Sequence, residues 1–439
     1  MFSPSSTSVH SLARGGPGTL RRALLLASCA LAALLSACEG NEPEDQGGTV
    51  PGPSATPPTR VEGATTPDDG QWLMAPKDYA NTRFSGLAQI TAQNVASLKL
   101  AWTFTTGNTH GHEGAPLVVG NTMYVVTPFP NFLYALDLTR QGEVKWSYRP
   151  PFERAAPGVA CCDVVNRGAA YADGRLFYVT LDNQAVAVDA ASGREVWRVK
   201  LGEINRGETM TMAPLVVKGK VLVGNSGGEM GVRGWIQALD AGTGRTVWKA
   251  YNTGPDPDVL IGPDFRPFYA SDRGTNLGVT TWPPDMWKTG GATVWGWISY
   301  DPALDLIYYG TGNPGPWNPN QRPGDNKWSA GVFARDPDDG QARWAYQWSP
   351  HDVHDYDGVN EQILLDLPVE GQTRRVLVRA ERNGYVYVLD RATGQVLSAD
   401  PFAHITSSLG VDLKTGAYLP NPKTAPRTGT VVRNICPAA

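Results

Sequence analysis

A unit of about fifty residues recurs along the chain, and this recurrence limits the possible folds more than any single motif does. A small residue, an Asp, a Gly-containing turn and a Trp run from Ala135-Leu136-Asp137 to Trp146, Ala187-Val188-Asp189 to Trp197, Ala238-Leu239-Asp240 to Trp248, and Ala334-Arg335-Asp336 to Trp344. A fifth copy, Val388-Leu389-Asp390 to Gly394, lacks the terminal Trp. Successive aspartates lie 52, 51, 96 and 54 residues apart, so three intervals are single repeats and one carries a large insertion. Alternating apolar stretches such as Arg175 to Thr180 and Lys220 to Gly224 read as strands between Gly-rich turns. The pattern predicts an all-β chain of β-propeller blades. In each unit Asp and Gly make a turn between two strands, and the indole packs on the neighbouring blade. Parallel β-helices, the main alternative, repeat at much shorter intervals. Function is then expected on loops around the propeller axis.

With 439 residues and a formal net charge of -4, the chain can bury a large core but offers no basic footprint for nucleic acid. Its 49 Gly, 35 Pro and 14 Trp suit a loop-rich secreted β protein. Arg21-Arg22 precede an apolar run, Ala23 to Leu35, that is short for a membrane span and suits a signal peptide. The run ends in Leu35-Ser36-Ala37-Cys38, which resembles a bacterial lipobox. The expectation is a lipoprotein signal peptide over 1–37 and a lipidated Cys38 tethering the chain to the envelope; ordinary cleavage to a free periplasmic protein is the alternative. Residues 38–70 are rich in Pro, Thr, Gly and acids and read as a disordered tether, leaving 71–439 as the propeller. Three cysteines fall in that part. In an oxidising compartment Cys161-Cys162 can form a vicinal disulfide; the alternative is two reduced, buried side chains. Cys436 has no obvious partner.

Asp355-Tyr356-Asp357 places two carboxylates at i and i+2, where they can converge on one cation while one also serves as a base. The same spacing is common in solvated turns. Arg382, in Glu381-Arg382-Asn383-Gly384, precedes a turn signal, where a surface charge is the ordinary reading.

Together with the repeats, the stretches Asp78 to Ser85, Gln89 to Val95 and Gly158 to Gly168 resemble the quinoprotein alcohol dehydrogenases, the methanol and ethanol dehydrogenases that use pyrroloquinoline quinone. The resemblance covers residue 71 to the end, and in that family the repeats are tryptophan-docking motifs. It implies that Cys161 and Cys162 form a vicinal disulfide against one face of the quinone, with Arg167 on a cofactor carboxylate. Trp295 of Gly291-Ala-Thr293-Val-Trp295 then stacks on the other face. Glu113, Thr211, Ser226, Gly227, Gly228 and Thr293 match positions around the cofactor. Glu229, Asn313 and Asp355 match the ligands of one cation, all hard oxygen donors. Lanthanide-dependent members place a second aspartate two residues after the catalytic one, where calcium-dependent members carry alanine. This sequence has Asp357, so three carboxylates favour a trivalent lanthanide over Ca2+. His354 departs from the Trp common at its position.

By the same resemblance Asp355 takes the hydroxyl proton of a small primary alcohol and Arg382 stabilises charge at the quinone oxygens. Hydride passes to the quinone, and a periplasmic cytochrome c reoxidises it. The family propeller has eight blades, whereas about five to six are represented before the sequence stops after Cys436. An unclosed, C-terminally incomplete propeller is therefore expected, with an exposed strand edge and a tendency to associate. Two other readings stay open: a catalytically incompetent shortened propeller, and a non-catalytic envelope scaffold. The second has no need of Glu229, Asn313, Asp355 and Arg382 together.

Overall fold

The computed structural model describes residues 70–427 and 429–437; the signal peptide, the lipobox and all of the tether before residue 70 lie outside them. Among the described residues, no helix is long and apolar enough to cross a membrane.

Alternation of apolar residues over stretches of three to nine residues produces strands, and turn residues fold these into five four-stranded antiparallel sheets. The first blade comprises Leu117–Val119, Thr122–Val126, Leu133–Asp137 and Glu143–Tyr148, and the second Ala170–Ala172, Arg175–Val179, Gln184–Asp189 and Glu195–Lys200. The third holds Leu215–Val217, Lys220–Gly224, Trp235–Asp240 and Thr246–Tyr251. Ile298–Asp301, Leu306–Thr311, Gly331–Arg335 and Ala342–Gln347 form the fourth, and Ile363–Val369, Gln372–Ala380, Tyr385–Asp390 and Val396–Pro401 the fifth. Each pairs in sequence order, as a propeller blade does. A hairpin, Ser408–Asp412 with Ala417–Pro420, follows. The long interval in the repeat is the stretch between Tyr251 and Ile298, which carries two one-turn helices, Asp256–Val259 and Leu277–Thr280.

The repeated residues account for the contacts between blades. Each Trp pairs across the third and fourth strands with the repeat's Ala: Trp146 with Ala135, Trp197 with Ala187, Trp248 with Ala238 and Trp344 with Ala334. The small partner leaves room for the ring, and a shift in register beside the pair re-aims it. The indole Nε1 then donates to a carbonyl in the next repeat's turn. Trp146 reaches Ala190 O at 3.2 Å, Trp197 Ala241 O at 3.0 Å, Trp248 Pro337 O at 3.0 Å and Trp344 Arg391 O at 3.1 Å. Each acceptor immediately follows the repeat's Asp. The glycines of these turns, Gly193, Gly244, Gly340 and Gly394, have φ of 72 to 77°, and a Cβ there would fall 2.6 to 2.8 Å from the docked indole.

Two further docking positions escape the repeat pattern. Trp102 covers the Gly142 turn of the first blade. At the other end of the array, where the fifth copy lacks its Trp, the insertion supplies Tyr269. Its ring lies against Gly416, and its hydroxyl donates to Leu413 O at 3.2 Å, the residue after Asp412. Large apolar side chains are exposed along the segment before the first blade, Leu100 at 81 % and Phe84 at 63 %.

Because strands alternate in direction, the connections between second and third strands and those between blades emerge at one end of each sheet, and the docking turns at the other. The residues singled out from the sequence lie on the first set.

Candidate active site

Glu113 lies in the strand His112–Ala115, which pairs in parallel with Asn166–Gly168 and so sets Glu113 beside Arg167. Arg167 Nη2 meets Glu113 Oε2 at 3.0 Å and its Nη1 donates to Thr211 Oγ1 at 3.0 Å; Thr211 Oγ1 lies 3.0 Å from Ser226 Oγ. Four of the expected cofactor residues thus form one connected rim. The Arg167 guanidinium also stands 4.9 Å from the ring centre of Trp295. Cys161 and Cys162 are joined as a vicinal disulfide.

These groups line a cavity of about 340 Å³ together with Gly227, Glu229, Trp317, Asp355, Asp357 and Arg382. Gly228 and Thr293 stand behind its wall: a Cβ at Gly228 would come within 3.5 Å of both Thr293 Oγ1 and the Asn313 amide. Asn313 borders an adjoining cavity, which shares Asp355 and Trp317 with the first.

The loops after the second strands of the third and fourth blades bring Glu229 and Asn313 together, and the connection into the fifth blade adds Asp355 and Asp357. Asn313 links the carboxylates. Its backbone N–H donates to Asp357 Oδ1 at 2.8 Å, and its side chain satisfies both neighbours when Nδ2 donates to Glu229 Oε1 at 3.2 Å and Oδ1 accepts from Trp317 Nε1 at 2.9 Å. Arg382, on the second turn of the fifth blade, donates from Nη1 to Asp357 Oδ2 at 2.7 Å and to Asp355 O at 3.0 Å. Behind it the buried Arg379–Glu381 ion pair fixes both loops. Arg379 Nη1 donates to Gly358 O at 2.6 Å, and Glu381 Oε1 accepts the Arg382 N–H at 3.0 Å.

Burial sets the electrostatics. It holds the Asp357 carboxyl well above its ordinary range, reinforced by the Asp355 charge and opposed by Arg382. Burial likewise raises Asp355, again against Arg382, and raises Glu229, with Asp355 adding to the effect. Asp355 Oδ1 is buried without a hydrogen-bond partner, as are Arg167 Nε and Thr293 Oγ1. Burial thus disfavours ionisation of all three carboxyls on this cavity wall, and a hard cation would offset that cost and favour their anions. The donor set fits such an ion. Among the described residues, however, no three acidic, His or Cys side chains are drawn together at the spacing of a formed cation site, and Asp357 is engaged by Arg382 instead. The rim of Arg167, Thr211 and Ser226, with an indole and a disulfide on the walls, fits a flat anionic ring system.

The sequence reading missed two residues here. Trp317, 59 % exposed, lines both cavities four residues after Asn313. Asp352, buried in the adjoining cavity's wall, lies three residues before Asp355, and Asp followed by nearby backbone donors is an Asx-turn signal. Burial pushes its carboxyl up to about 6. His354, at the position of the expected Trp, stacks on Tyr356 with ring centres 4.9 Å apart.

Residues 72–399 match the family profile of the glucose/ethanol/alcohol dehydrogenase β-propeller domain that uses pyrroloquinoline quinone. The chain is 54% identical over 372 residues to a lanthanide-dependent methanol dehydrogenase of Methylacidiphilum fumariolicum, covering 84% of this chain and 61% of that one. It is 46% identical over 379 residues to subunit 1 of a cytochrome c methanol dehydrogenase of Methylobacterium organophilum, covering 84% and 60%. A europium-containing methanol dehydrogenase superposes with a TM-score of 0.82 at 54% identity, over 84% of this chain and 64% of that structure. The chain therefore spans less than two thirds of the length of each of these relatives.

Proposed function

The chain belongs to the pyrroloquinoline-quinone-dependent alcohol dehydrogenase β-propeller family, and from that premise we propose that it oxidises small primary alcohols of the methanol class to aldehydes, with one lanthanide ion beside the quinone. The observation that carries this reading is the convergence of Glu229, Asp355 and Asp357 on one cavity that also holds the Arg167 rim and Trp295. The cofactor and its metal supply, when bound, an electrophilic acceptor for the hydride of the alcohol. Arg167, Thr211, Ser226 and Glu113 would hold the cofactor's polar edge, and Trp295 and the disulfide its faces. Glu229, Asn313, Asp355 and Asp357 would hold the ion.

Asp355, whose side chain lines the cavity, takes the hydroxyl proton on its carboxylate. Its raised affinity for that proton is set by burial. Arg382 Nη1 keeps the Asp355 main chain in place and offers positive charge beside it. Trp317 gives a short alkyl group an apolar surface at the cavity wall. Electrons pass to a cytochrome c, the acceptor in the name of the M. organophilum relative. The leader-like N-terminus and Cys38 support a periplasmic location with a lipid tether.

The test is reconstitution of the purified chain with pyrroloquinoline quinone and either lanthanum or calcium, followed by alcohol-dependent dye reduction. Turnover is expected with lanthanum and less with calcium. Absence of alcohol-dependent reduction with both ions would overturn the reading.

A further inference from the structure

Asp355 and Asp357 adopt φ of 61° and 60°, the left-handed region that side chains other than Gly enter at a cost of about 1–3 kcal/mol each. Something in the fold must hold the loop there. Asp352 is 4 % exposed and directs its whole carboxylate at this backbone. Oδ1 accepts the His354 N–H at 2.9 Å, and Oδ2 accepts those of Tyr356 at 2.8 Å and Asp357 at 3.3 Å. The three donors bracket Asp355. The main chain that carries this carboxylate is held from outside the loop, because Arg322 Nη2 donates to Asp352 O at 2.6 Å. Arg322 also donates to Asn326 Oδ1 at 2.9 Å and Pro316 O at 2.6 Å, on the stretch that follows Asn313. One guanidinium thus ties the Asp352 turn to the segment that presents Asn313.

We propose that Asp352 is the positioning residue of the site: by gathering three backbone N–H groups on one buried carboxylate it holds Asp355 and Asp357 in the turn that keeps both on the wall of the cavity that Glu229 also lines. This rests on the reading of Glu229, Asp355 and Asp357 as ligands of one ion. Asp352 itself is not among the residues that line the cavity with the Arg167 rim. A carboxylate is required because both of its oxygens accept. Asn at this position would set an NH2 against either the Tyr356 and Asp357 donors or the His354 donor, whichever way the amide turned. The loop would then relax from its left-handed turns, and Asp355 and Asp357 would lose their fixed places on that cavity wall.

The test uses the full chain, terbium alone as the probe and the variants Asp352→Asn and Asp352→Ser. Tryptophan-sensitised terbium emission gives affinity, and its lifetime in light and heavy water reports metal-bound water. Hydrogen exchange over residues 352–360 reports the loop without any metal. For Asp352→Asn the expected results are affinity weaker by roughly 10–100-fold, more water on the ion, and faster exchange confined to that stretch. Where Asp352→Asn fails to fold, Asp352→Ser, which keeps one acceptor in a smaller side chain, carries the same comparison. Unchanged affinity and unchanged exchange in a folded variant would overturn the proposal. If the wild-type chain binds no terbium, the reading of the ion site falls separately, and the exchange comparison alone decides whether Asp352 holds the loop.

Discussion

The turn aspartates at one end of the blades and Asp352 at the other accept the same kind of hydrogen bond, yet their surroundings move their proton affinities in opposite directions. Asp240 Oδ1 accepts the Thr243 N–H at 2.8 Å and its hydroxyl at 2.6 Å, and Asp189 accepts the Ser192 N–H at 2.8 Å. These carboxylates are washed by water, so the hydroxyl and amide donors simply favour the anion and hold both groups below the usual range. Asp352 accepts three N–H groups, but burial outweighs them, and its carboxyl rises instead. At the turns the hydroxyl and amide donors outweigh a small desolvation cost, and these carboxylates serve to fold the chain. The loop around Asp352 accepts desolvation, left-handed backbone and crowded negative charge, a combination that functional sites concentrate.

This contrast can be broken most decisively at Asp355. Asp355→Ala should lower alcohol-dependent reduction in the metal-loaded protein by roughly 10²–10⁴-fold, as loss of a general base does, while the urea midpoint stays near that of the wild type. Retained turnover would remove Asp355 from its role as base. The next effect is one of metal choice. Asp357→Ala removes the third carboxylate and should reduce lanthanum-supported activity more than calcium-supported activity; equal losses with the two ions would end the charge argument for a lanthanide.

The frame was legible because it repeats. Asp, Gly and Trp each occupy a position where one contact explains the residue type, and four copies make the pattern visible. Tyr269 and Trp102 do the same work without the repeat's spacing. Tyr269 comes from the insertion and reaches the Asp412 turn only in three dimensions, so no local pattern announced it. At the site, Glu229, Asn313, Asp355, Asp357 and Arg382 are marked by family motifs, and they line two adjoining cavities. The engagement of Asp357 by Arg382 was not legible: it depends on the relative height of two loops from neighbouring segments. Asp352 offered only the general signal of an Asx-turn, since its partners are backbone N–H groups, which leave no side-chain signature of their own.

The docking indoles sharpen the other half of the comparison. Trp344 is 1 % exposed, Trp248 and Trp197 are 7 % and 9 %, and Trp146 is only half-buried. Trp344→Ala should therefore cost about 3–5 kcal/mol by urea unfolding, with smaller losses for Trp248 and Trp197 and the smallest for Trp146. Similar costs at all four positions would show that the Nε1 hydrogen bond, common to all, matters more than burial.

The smallest expected effect lies at the turn aspartates themselves and appears only in acid. Asp137, Asp189 and Asp240 all titrate below their ordinary value of 3.8 in the folded chain, chiefly through the hydroxyls of Thr139, Ser192 and Thr243. The unfolded chain therefore takes up protons at these sites first. Their stabilisation is fully present above the unfolded value and is lost as pH falls through the lower folded values. Asn can accept the same backbone N–H but does not titrate, so replacing all three by Asn should keep the turns and flatten the fall in urea midpoint between about pH 4 and pH 2. An acid limb as steep as that of the wild type would place the sensitivity in the other carboxylates and would leave the turn aspartates as purely geometric parts of the blade.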